Sequence, residues 1–228
     1  FIGLVLSRRG FERAAHSGID QINCTTVASE TFCQRNQGAS VGEMYAVIAD
    51  IVREAQATKM FCGVTIAASF GCPFEGEVAP ARVRDMVRQF ADLGVDEIAL
   101  ADSIGVAVPS DVRRLLELAG PVVGDIPLRV HFHDTRNTGV ANVCAAVEAG
   151  VRIIDASCGG VGGCPFAPGA TGNVATEDVL YVLQRMGFAT GIDIAKIIAT
   201  TKWLEGPLGT AMPAMVSRAG VFPPAVTA

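Results

Sequence analysis

Two of the three histidines in this chain, His131 and His133, stand two positions apart in the run Arg129-Val130-His131-Phe132-His133. The branched and aromatic residues around them predict a β-strand, on which residues two apart point to the same side. Two imidazoles on one side of a strand can bind a single divalent cation. The spacing therefore favours a metal site, and the alternative is a pair of core histidines bonded to neighbouring polar groups.

Two other residues could complete such a site. Asp102 follows an apolar run and precedes Ser103-Ile104-Gly105, so it could bind the metal, orient a histidine or cap the loop. Asn173 ends a glycine-rich segment, and its amide oxygen suits a hard cation, although asparagine is also a common turn residue. The residue types alone leave these alternatives open.

The glycine-rich segment, residues 159–173, contains six glycines and one cysteine, Cys164. A phosphate-binding loop is disfavoured because Pro165 interrupts the helix that should follow and the Lys-Ser/Thr pair is missing. We interpret the segment as a lid with glycine hinges that closes over a substrate. A thiol on such a lid could act as a proton donor or nucleophile, whereas the alternative is a cysteine that only packs.

Short β-branched runs alternate with longer amphipathic segments, which is typical of βα units around a parallel sheet. The predicted strands are Ile2–Leu6, Gln21–Thr25, Phe61–Ala67, Glu97–Ala101, Leu128–Phe132 and Arg152–Ala156. The predicted helices are Phe11–Ser17, Val41–Thr58, Pro80–Leu93, Ser110–Ala119, Gly139–Ala149 and C-terminal helices within 176–204, the first of them capped by Thr176.

Six βα units without a glycine-rich phosphate motif after the first strand favour a TIM (β/α)8 barrel over a doubly wound sheet. Such a barrel takes about 250 residues, and the chain opens inside a predicted strand. We therefore expect residues 1–228 to form a single partial barrel domain whose first two βα units lie upstream, and whose isolated form is inactive and poorly folded because its sheet edges are unpaired. The alternative is a complete, open six-stranded sheet.

The composition excludes several classes of partner. The chain has 228 residues, 18 Lys and Arg against 23 Asp and Glu, and a net charge of -5. No basic cluster is available to bind nucleic acid or an anionic membrane. The longest uncharged stretch, 156–176, is too rich in glycine and proline for a lipid-exposed helix. Seven scattered cysteines indicate reduced thiols and a cytoplasmic location.

These motifs together resemble one enzyme family. The segments His131-Phe132-His133-Asp134-Thr135, Gly160 to Asn173 and Ala175 to Asp178 are similar to signatures of the 3-hydroxy-3-methylglutaryl-CoA (HMG-CoA) lyases. Further similar segments follow the family order: Ala28 to Glu30, Gly71 to Gly76 and Asp102 to Gly105. Related aldol-type enzymes such as isopropylmalate synthase share the His-x-His strand but lack the Gly-Gly-Cys-Pro loop.

The resemblance implies a (β/α)8 barrel that uses Mg²⁺ or Mn²⁺ to split HMG-CoA into acetyl-CoA and acetoacetate. It implies that His131 and His133 are metal ligands, with His131 also counted among the catalytic residues, and that Asn173 is a further ligand. Cys164 would be the lid thiol that takes part in proton transfer, and Asp102 an active-site acid near the metal. We also expect an acyl-CoA substrate and a homodimer.

Two departures from the family pattern qualify this expectation. An Asp-Arg-Glu-type motif on the first strand and a glutamate on the second would both precede Phe1. The run from Asp134 to Gly139 reads Asp-Thr-Arg-Asn-Thr-Gly rather than the Asp-Thr-Tyr-Gly-Gln pattern of the leucine-degrading lyases. A lyase for a related 3-hydroxyacyl-CoA and a non-catalytic metal- or CoA-binding barrel therefore stay open as alternatives.

Overall fold

The computed structural model describes residues 1–163 and 172–223. Within these ranges the strands are β1 Ile2–Val5, β2 Gln21–Val27, β3 Phe61–Ala67, β4 Gly71–Cys72, β5 Gly76–Glu77, β6 Glu97–Asp102, β7 Leu128–Phe132 and β8 Ile153–Asp155. The pair β4 and β5 forms a short antiparallel hairpin, and the other six strands form one parallel sheet. All six predicted strands are confirmed within one or two residues at each end.

The helices of the same ranges are α1 Arg8–Ala15, α2 Glu30–Gln37, α3 Val41–Thr58, α4 Pro80–Asp92, α5 Pro109–Val123, α6 Gly139–Glu148, α7 Thr176–Arg185, α8 Ile194–Leu208 and α9 Met215–Ala219, with a 3₁₀ turn at Cys158–Gly160. The prediction missed α2 because it buries little apolar surface, with Phe32 and Cys33 as its buried residues. In this described part of the chain, no helix combines the length and apolar character needed to cross a bilayer.

Local signals set the helix boundaries. Ser40 begins α3 through a capping box, in which its hydroxyl accepts from the Glu43 amide and the Glu43 carboxylate accepts from the Ser40 amide. The prediction that Thr176 caps α7 is wrong. Thr176 is the first residue of the helix, and its amide donates to the Ser157 carbonyl at 2.9 Å.

The parallel strands are ordered β1-β2-β3-β6-β7-β8, which is their order in the chain. In a doubly wound sheet the strand order reverses at a switch point. The uninterrupted order of this sheet favours the connections of a barrel instead. The sheet is also curled. Asn23 on β2 and Arg129 on β7 are three strand spacings apart, about 14 Å on a flat sheet, yet their side chains bond at 2.8 Å. The structure is thus a curled parallel half-barrel, and the two upstream units stay a prediction.

The two faces of the curled sheet differ in chemistry because alternate residues of each strand point to opposite sides. The outer face is apolar and lies against α3, α4 and α6. Its fully buried side chains include Ile22, Val64, Ile98, Leu100, Val130 and Phe132. The inner face lines an open cavity of about 440 Å³, and most of the residues around this cavity are polar. The predicted division of β7, with histidines on one side and Val130 and Phe132 on the other, is confirmed.

Asn142 on α6 stabilises the loop after β6, and this contact can be tested. Its side-chain amide is fully buried and donates to the Ala107 carbonyl at 2.8 Å. We expect Asn142→Ala to lower the free energy of unfolding by about 1–3 kcal/mol, because it leaves a buried carbonyl without a donor. The control Gln89→Ala, exposed on α4, should change it by less than about 0.5 kcal/mol. Equal effects in chemical denaturation would contradict this role.

Candidate functional site

The two histidines of the sequence motif lie side by side at the carboxyl end of β7. Their ring centroids are 5.2 Å apart and the ring planes are inclined by 66°. The His133 amide donates to the Asp102 carbonyl at 3.2 Å, which ties the end of β7 to the end of β6. Both rings line the inner cavity together with Asp155. The structure therefore places the predicted pair at the rim where a parallel barrel holds its active site.

Asp155 on β8 orients His131. The two residues are in register on neighbouring parallel strands, and Oδ1 of Asp155 contacts Nδ1 of His131. A carboxylate next to Nδ1 stabilises the imidazole tautomer that is protonated on Nδ1. The lone pair of Nε2 is then free for another partner.

His133 is 5 % exposed, and its Nδ1 atom has no hydrogen-bond partner among the described residues. Burial and, to a lesser extent, the nearby His131 lower the pKa of His133 to about 4, against the opposing effect of Asp155. The ring is thus neutral at physiological pH, which is the form that binds metals. Because an unpaired buried nitrogen is costly, the residues present fit a divalent cation.

Asn173 lies next to His133. The two residues form an antiparallel bridge, and the flanking Val174 amide donates to the Phe132 carbonyl at 3.0 Å. The Asn173 side-chain amide donates to the Val161 carbonyl at 2.9 Å, which leaves its oxygen available. Within residues 1–163 and 172–223 no three His, Cys, Asp or Glu side chains cluster as a metal site. The predicted ligands, two histidines and an asparagine, stay a prediction.

Asp102 occupies a different place from the histidines. It pairs in register with Phe132, one residue along from His131, and therefore points to the outer face of the sheet. Its fully buried carboxylate accepts from the amides of Val106 at 3.1 Å and Ala107 at 2.8 Å. Burial raises the pKa of Asp102, and the loop amides oppose that rise. Of the three roles that the sequence left open for Asp102, this geometry is that of a loop cap. Its role as an active-site acid stays a prediction.

The loop that Asp102 caps is pressed against the segment that follows the histidines. Gly105 has a φ of 60°, and a Cβ atom there would lie 2.9 Å from the Thr135 amide nitrogen. Glycine is therefore required for the two loops to approach this closely. Asp102 caps the loop after β6, and this loop contacts Thr135, just after the His-x-His strand. Asp102 therefore supports the end of that strand from the outer face of the sheet.

The predicted lid can be followed at its two ends. Cys164 and the rest of 164–171 lie outside the described residues. Gly159 at the first end is buried, and a Cβ there would lie 2.9 Å from side-chain atoms of Met212 and Thr201. Its amide donates to the fully buried Glu177 at 3.0 Å. This first glycine is therefore explained by close packing rather than by hinge motion, and the lid role of the segment stays a prediction.

Sequence reasoning missed a cluster of charges on the inner face. The Arg129 side chain is 10 % exposed, with its Nε atom 3.2 Å from Glu97 and 3.4 Å from Asp155. Burial raises the pKa of Glu97. The charge of Arg129 opposes this rise, and the charge of Asp155 adds to it. The available signal was the position of Arg129 two residues before His131, on the same face of the strand.

Comparison with known proteins places this geometry in a family. A family model described as HMGL-like matches residues 4–204. The (R)-citramalyl-CoA lyase of Chloroflexus aurantiacus is 40 % identical over 228 residues, which cover all of this chain and 72 % of that protein. The hydroxymethylglutaryl-CoA lyase of Pseudomonas mevalonii is 38 % identical over 211 residues, covering 92 % of this chain and 70 % of that protein.

Solved structures agree. An HMG-CoA lyase from Acinetobacter baumannii, in complex with coenzyme A and 3-methylmalate, has a TM-score of 0.93 and 36 % identity. The match covers 98 % of this chain and 73 % of that one.

The contact between Gly162 and Asn173 yields a test of how Asn173 is positioned. Gly162 has a φ of 124°, and a Cβ there would lie 2.5 Å from Nδ2 of Asn173. We expect Gly162→Ala to destabilise the protein through backbone strain and through this clash, and to cost about 1 kcal/mol less in an Asn173→Ala background. The control Gly187→Ala, at a φ of 88° with nothing within 4 Å, should cost the same in both backgrounds. Denaturant titration of the native protein, Asn173→Ala and the two glycine variants in each background would contradict the contact if Gly162→Ala were equally costly in both.

Proposed function

Because this chain belongs to the HMGL-like family of lyases, we propose that it carries out the metal-dependent cleavage of a 3-hydroxyacyl-CoA, with HMG-CoA as substrate and acetyl-CoA and acetoacetate as products. The observation that carries the proposal is the pair His131 and His133, which face one cavity at the carboxyl end of β7. The unpartnered Nδ1 of His133 in the described structure supports a ligand at this place.

We assign His131, His133 and Asn173 as the residues that hold Mg²⁺ or Mn²⁺. When bound, the cation supplies Lewis-acid polarisation of the substrate oxygens. His131 offers Nε2 because Asp155 occupies Nδ1. Asn173 offers its side-chain oxygen because its amide nitrogen bonds Val161. Nitrogen and neutral oxygen donors of this kind suit a divalent cation that also binds substrate oxygens.

The reaction breaks the bond between C2 and C3 of the acyl group. A base takes the proton of the tertiary hydroxyl, the electrons of the C2–C3 bond pass to C2, and C2 then receives a proton to give acetyl-CoA. We assign Cys164 to deliver or relay that last proton, and the lid around it to exclude water meanwhile. Asp102 enters the proposal as a positioning residue, since its carboxylate accepts the amides of the loop after β6.

A second substrate, (R)-citramalyl-CoA, is favoured by the similarity to one relative, and one residue of this chain departs from the pattern of the HMG-CoA lyases. Arg136 stands where the leucine-degrading lyases have a tyrosine, and its guanidinium donates to the carbonyls of Ile104 at 2.9 Å and Gly105 at 3.1 Å. The edge of the site therefore differs from that pattern. The 40 % identity to a citramalyl-CoA lyase points the same way. Cleavage of this substrate would give acetyl-CoA and pyruvate.

The proposal is tested by assaying the full-length protein with HMG-CoA, (R)-citramalyl-CoA and a small panel of other 3-hydroxyacyl-CoA thioesters. We expect acetyl-CoA release from at least one of them, loss of release after chelation, and recovery with Mn²⁺ or Mg²⁺. The second product, acetoacetate or pyruvate, identifies the acyl group. Binding of Mn²⁺ without cleavage of any thioester would favour the non-catalytic metal- or CoA-binding barrel.

The remaining expectations follow from the acyl-CoA substrate and the composition. We propose a homodimer that acts in the cytoplasm, and no nucleic-acid or membrane partner. The net charge of -5 without a basic cluster supports the absence of an anionic polymer as partner.

Cys164 can be tested against a matched cysteine. If its thiol delivers a proton to C2, Cys164→Ser should keep Mn²⁺ affinity but lower turnover by about 10²- to 10⁴-fold, as expected for loss of a general acid. Turnover is measured with metal saturating. Near-normal turnover in Cys164→Ser would reduce this thiol to a packing residue.

Cys72 provides the control because it also precedes a proline in a Gly-Cys-Pro sequence. It is buried, and its sulfur accepts from the Ser29 hydroxyl at 2.9 Å and from the amides of Phe74 and Glu75, both at 3.3 Å. A serine oxygen can accept the same donors. Cys72→Ser should therefore leave turnover nearly unchanged.

A further inference from the structure

The inner face of the sheet carries a connected set of charged and polar side chains, and the proposed function has drawn only on Asp155, at Nδ1 of His131. Arg129 lies at its centre. Its Nη2 atom donates to the Asn23 side-chain oxygen at 2.8 Å, and its Nε atom lies 3.2 Å from Oε1 of Glu97 and 3.4 Å from Oδ2 of Asp155. The guanidinium therefore donates one hydrogen bond to β2 and lies within ion-pair distance of carboxylates on β6 and β8, while Nε itself has no hydrogen-bond partner among the described residues.

Asp155 connects this set to the candidate metal site. Its Oδ2 atom faces Arg129, while its Oδ1 atom contacts Nδ1 of His131. The attraction of the guanidinium for Oδ2 favours the side-chain orientation in which Oδ1 of Asp155 faces the imidazole. Arg129 does not contact His131 directly. It influences the orientation of the imidazole through Asp155, which lies between them.

We propose that Arg129 and Asp155 are positioning residues for His131. Asp155 sets the tautomer and ring orientation that turn Nε2 of His131 towards the cation, and Arg129 keeps Asp155 in place. The inference rests on the proposed function because it assumes a metal at His131. Neither residue is a catalytic residue, since each acts through the imidazole.

The charge of the set supports this role. One guanidinium faces two carboxylates, Glu97 and Asp155, so the group carries a net charge of -1 when all three are ionised. Negative charge behind an imidazole ligand makes its free nitrogen a better donor to a cation. Arg129 and Glu97 are nearly buried, and a buried ion pair is a poor source of stability compared with apolar packing, whereas a ligand-orienting role accounts for charges on this face.

The rival interpretation is that Arg129 simply ties neighbouring strands together. The two interpretations differ in what happens when Asp155 is removed first. If Arg129 acts through Asp155, its loss should weaken metal binding in the native protein and add little once Asp155 has been changed. If Arg129 only ties strands together, its loss should lower the melting temperature by the same amount whether or not Asp155 has been changed.

The experiment titrates Mn²⁺ into the full-length protein and variants by calorimetry, with melting temperatures measured in parallel. We expect Asp155→Asn and Arg129→Met each to weaken Mn²⁺ binding by about 10- to 100-fold, as for loss of other ligand-orienting partners. The double variant should be no weaker than the weaker single one. His131→Ala is the reference for a lost ligand, and Arg129→Lys, which keeps the charge but not the planar fork, should weaken binding less than Arg129→Met.

Two matched controls separate this effect from general damage. Asp96→Asn makes the same change at a carboxylate that accepts the Cys62 amide at 2.8 Å, near the amino end of β3. His16→Ala removes the remaining histidine, which is exposed after α1. Both should leave Mn²⁺ affinity unchanged.

The outcomes distinguish the two proposals. A native protein that binds Mn²⁺ with variants of unchanged affinity, or with Arg129 and Asp155 effects that multiply in the double variant, overturns the positioning role alone. A native protein that binds no Mn²⁺ overturns the proposed function and this inference with it. If Arg129→Met does not fold, Arg129→Lys and Asp155→Asn decide the question by the same comparison.

Discussion

A guanidinium on the inner face of a parallel sheet has to be compensated by nearby carboxylates, and the candidate site is arranged around that requirement. Arg129 brings Glu97 and Asp155 together from β6 and β8 and reaches Asn23 on β2. Strands β6 and β8 are the direct neighbours of β7, so the two ion pairs need only the strand order, whereas the bond to Asn23 crosses three strand spacings and can form because the sheet is curled. The hydrogen bond between Arg129 and Asn23 therefore depends on the curvature that encloses the cavity.

The alternation of side chains along each strand separates folding from chemistry. Apolar side chains on the outer face pack under the helices, so they can stabilise the domain without constraining the cavity. The inner face carries the polar residues of the candidate site, so it buries less apolar surface than the outer face. Asp102 lies on the outer side at the end of β6 and supports the loop against which Thr135 packs. A polar residue next to the site thus contributes to its shape from the opposite face.

The elements that could be predicted from the sequence are those with strong local signals. The bounds of β3, β7 and α3 are as predicted, because the strands are apolar runs and α3 has a capping box at Ser40. Helix α2 was missed because it is short and buries only Phe32 and Cys33, which leaves few apolar positions to mark it in the sequence. Glu177 stands in the first turn of α7, where acidic residues are common, yet it is fully buried and its carboxylate accepts from the Gly159 amide. That partner is 18 residues away, beyond any local pattern.

The sequence by itself determined the parallel βα architecture and the shared face of His131 and His133, because both follow from periodicities along a single strand or helix. Only the tertiary structure decided which residues meet those histidines. The partnership of His131 with Asp155, of Asp155 with Arg129 and of Asn173 with His133 depends on which segments lie side by side and in which register. Register is set by the packing of whole elements against each other, and residue types and spacing along the chain do not contain it.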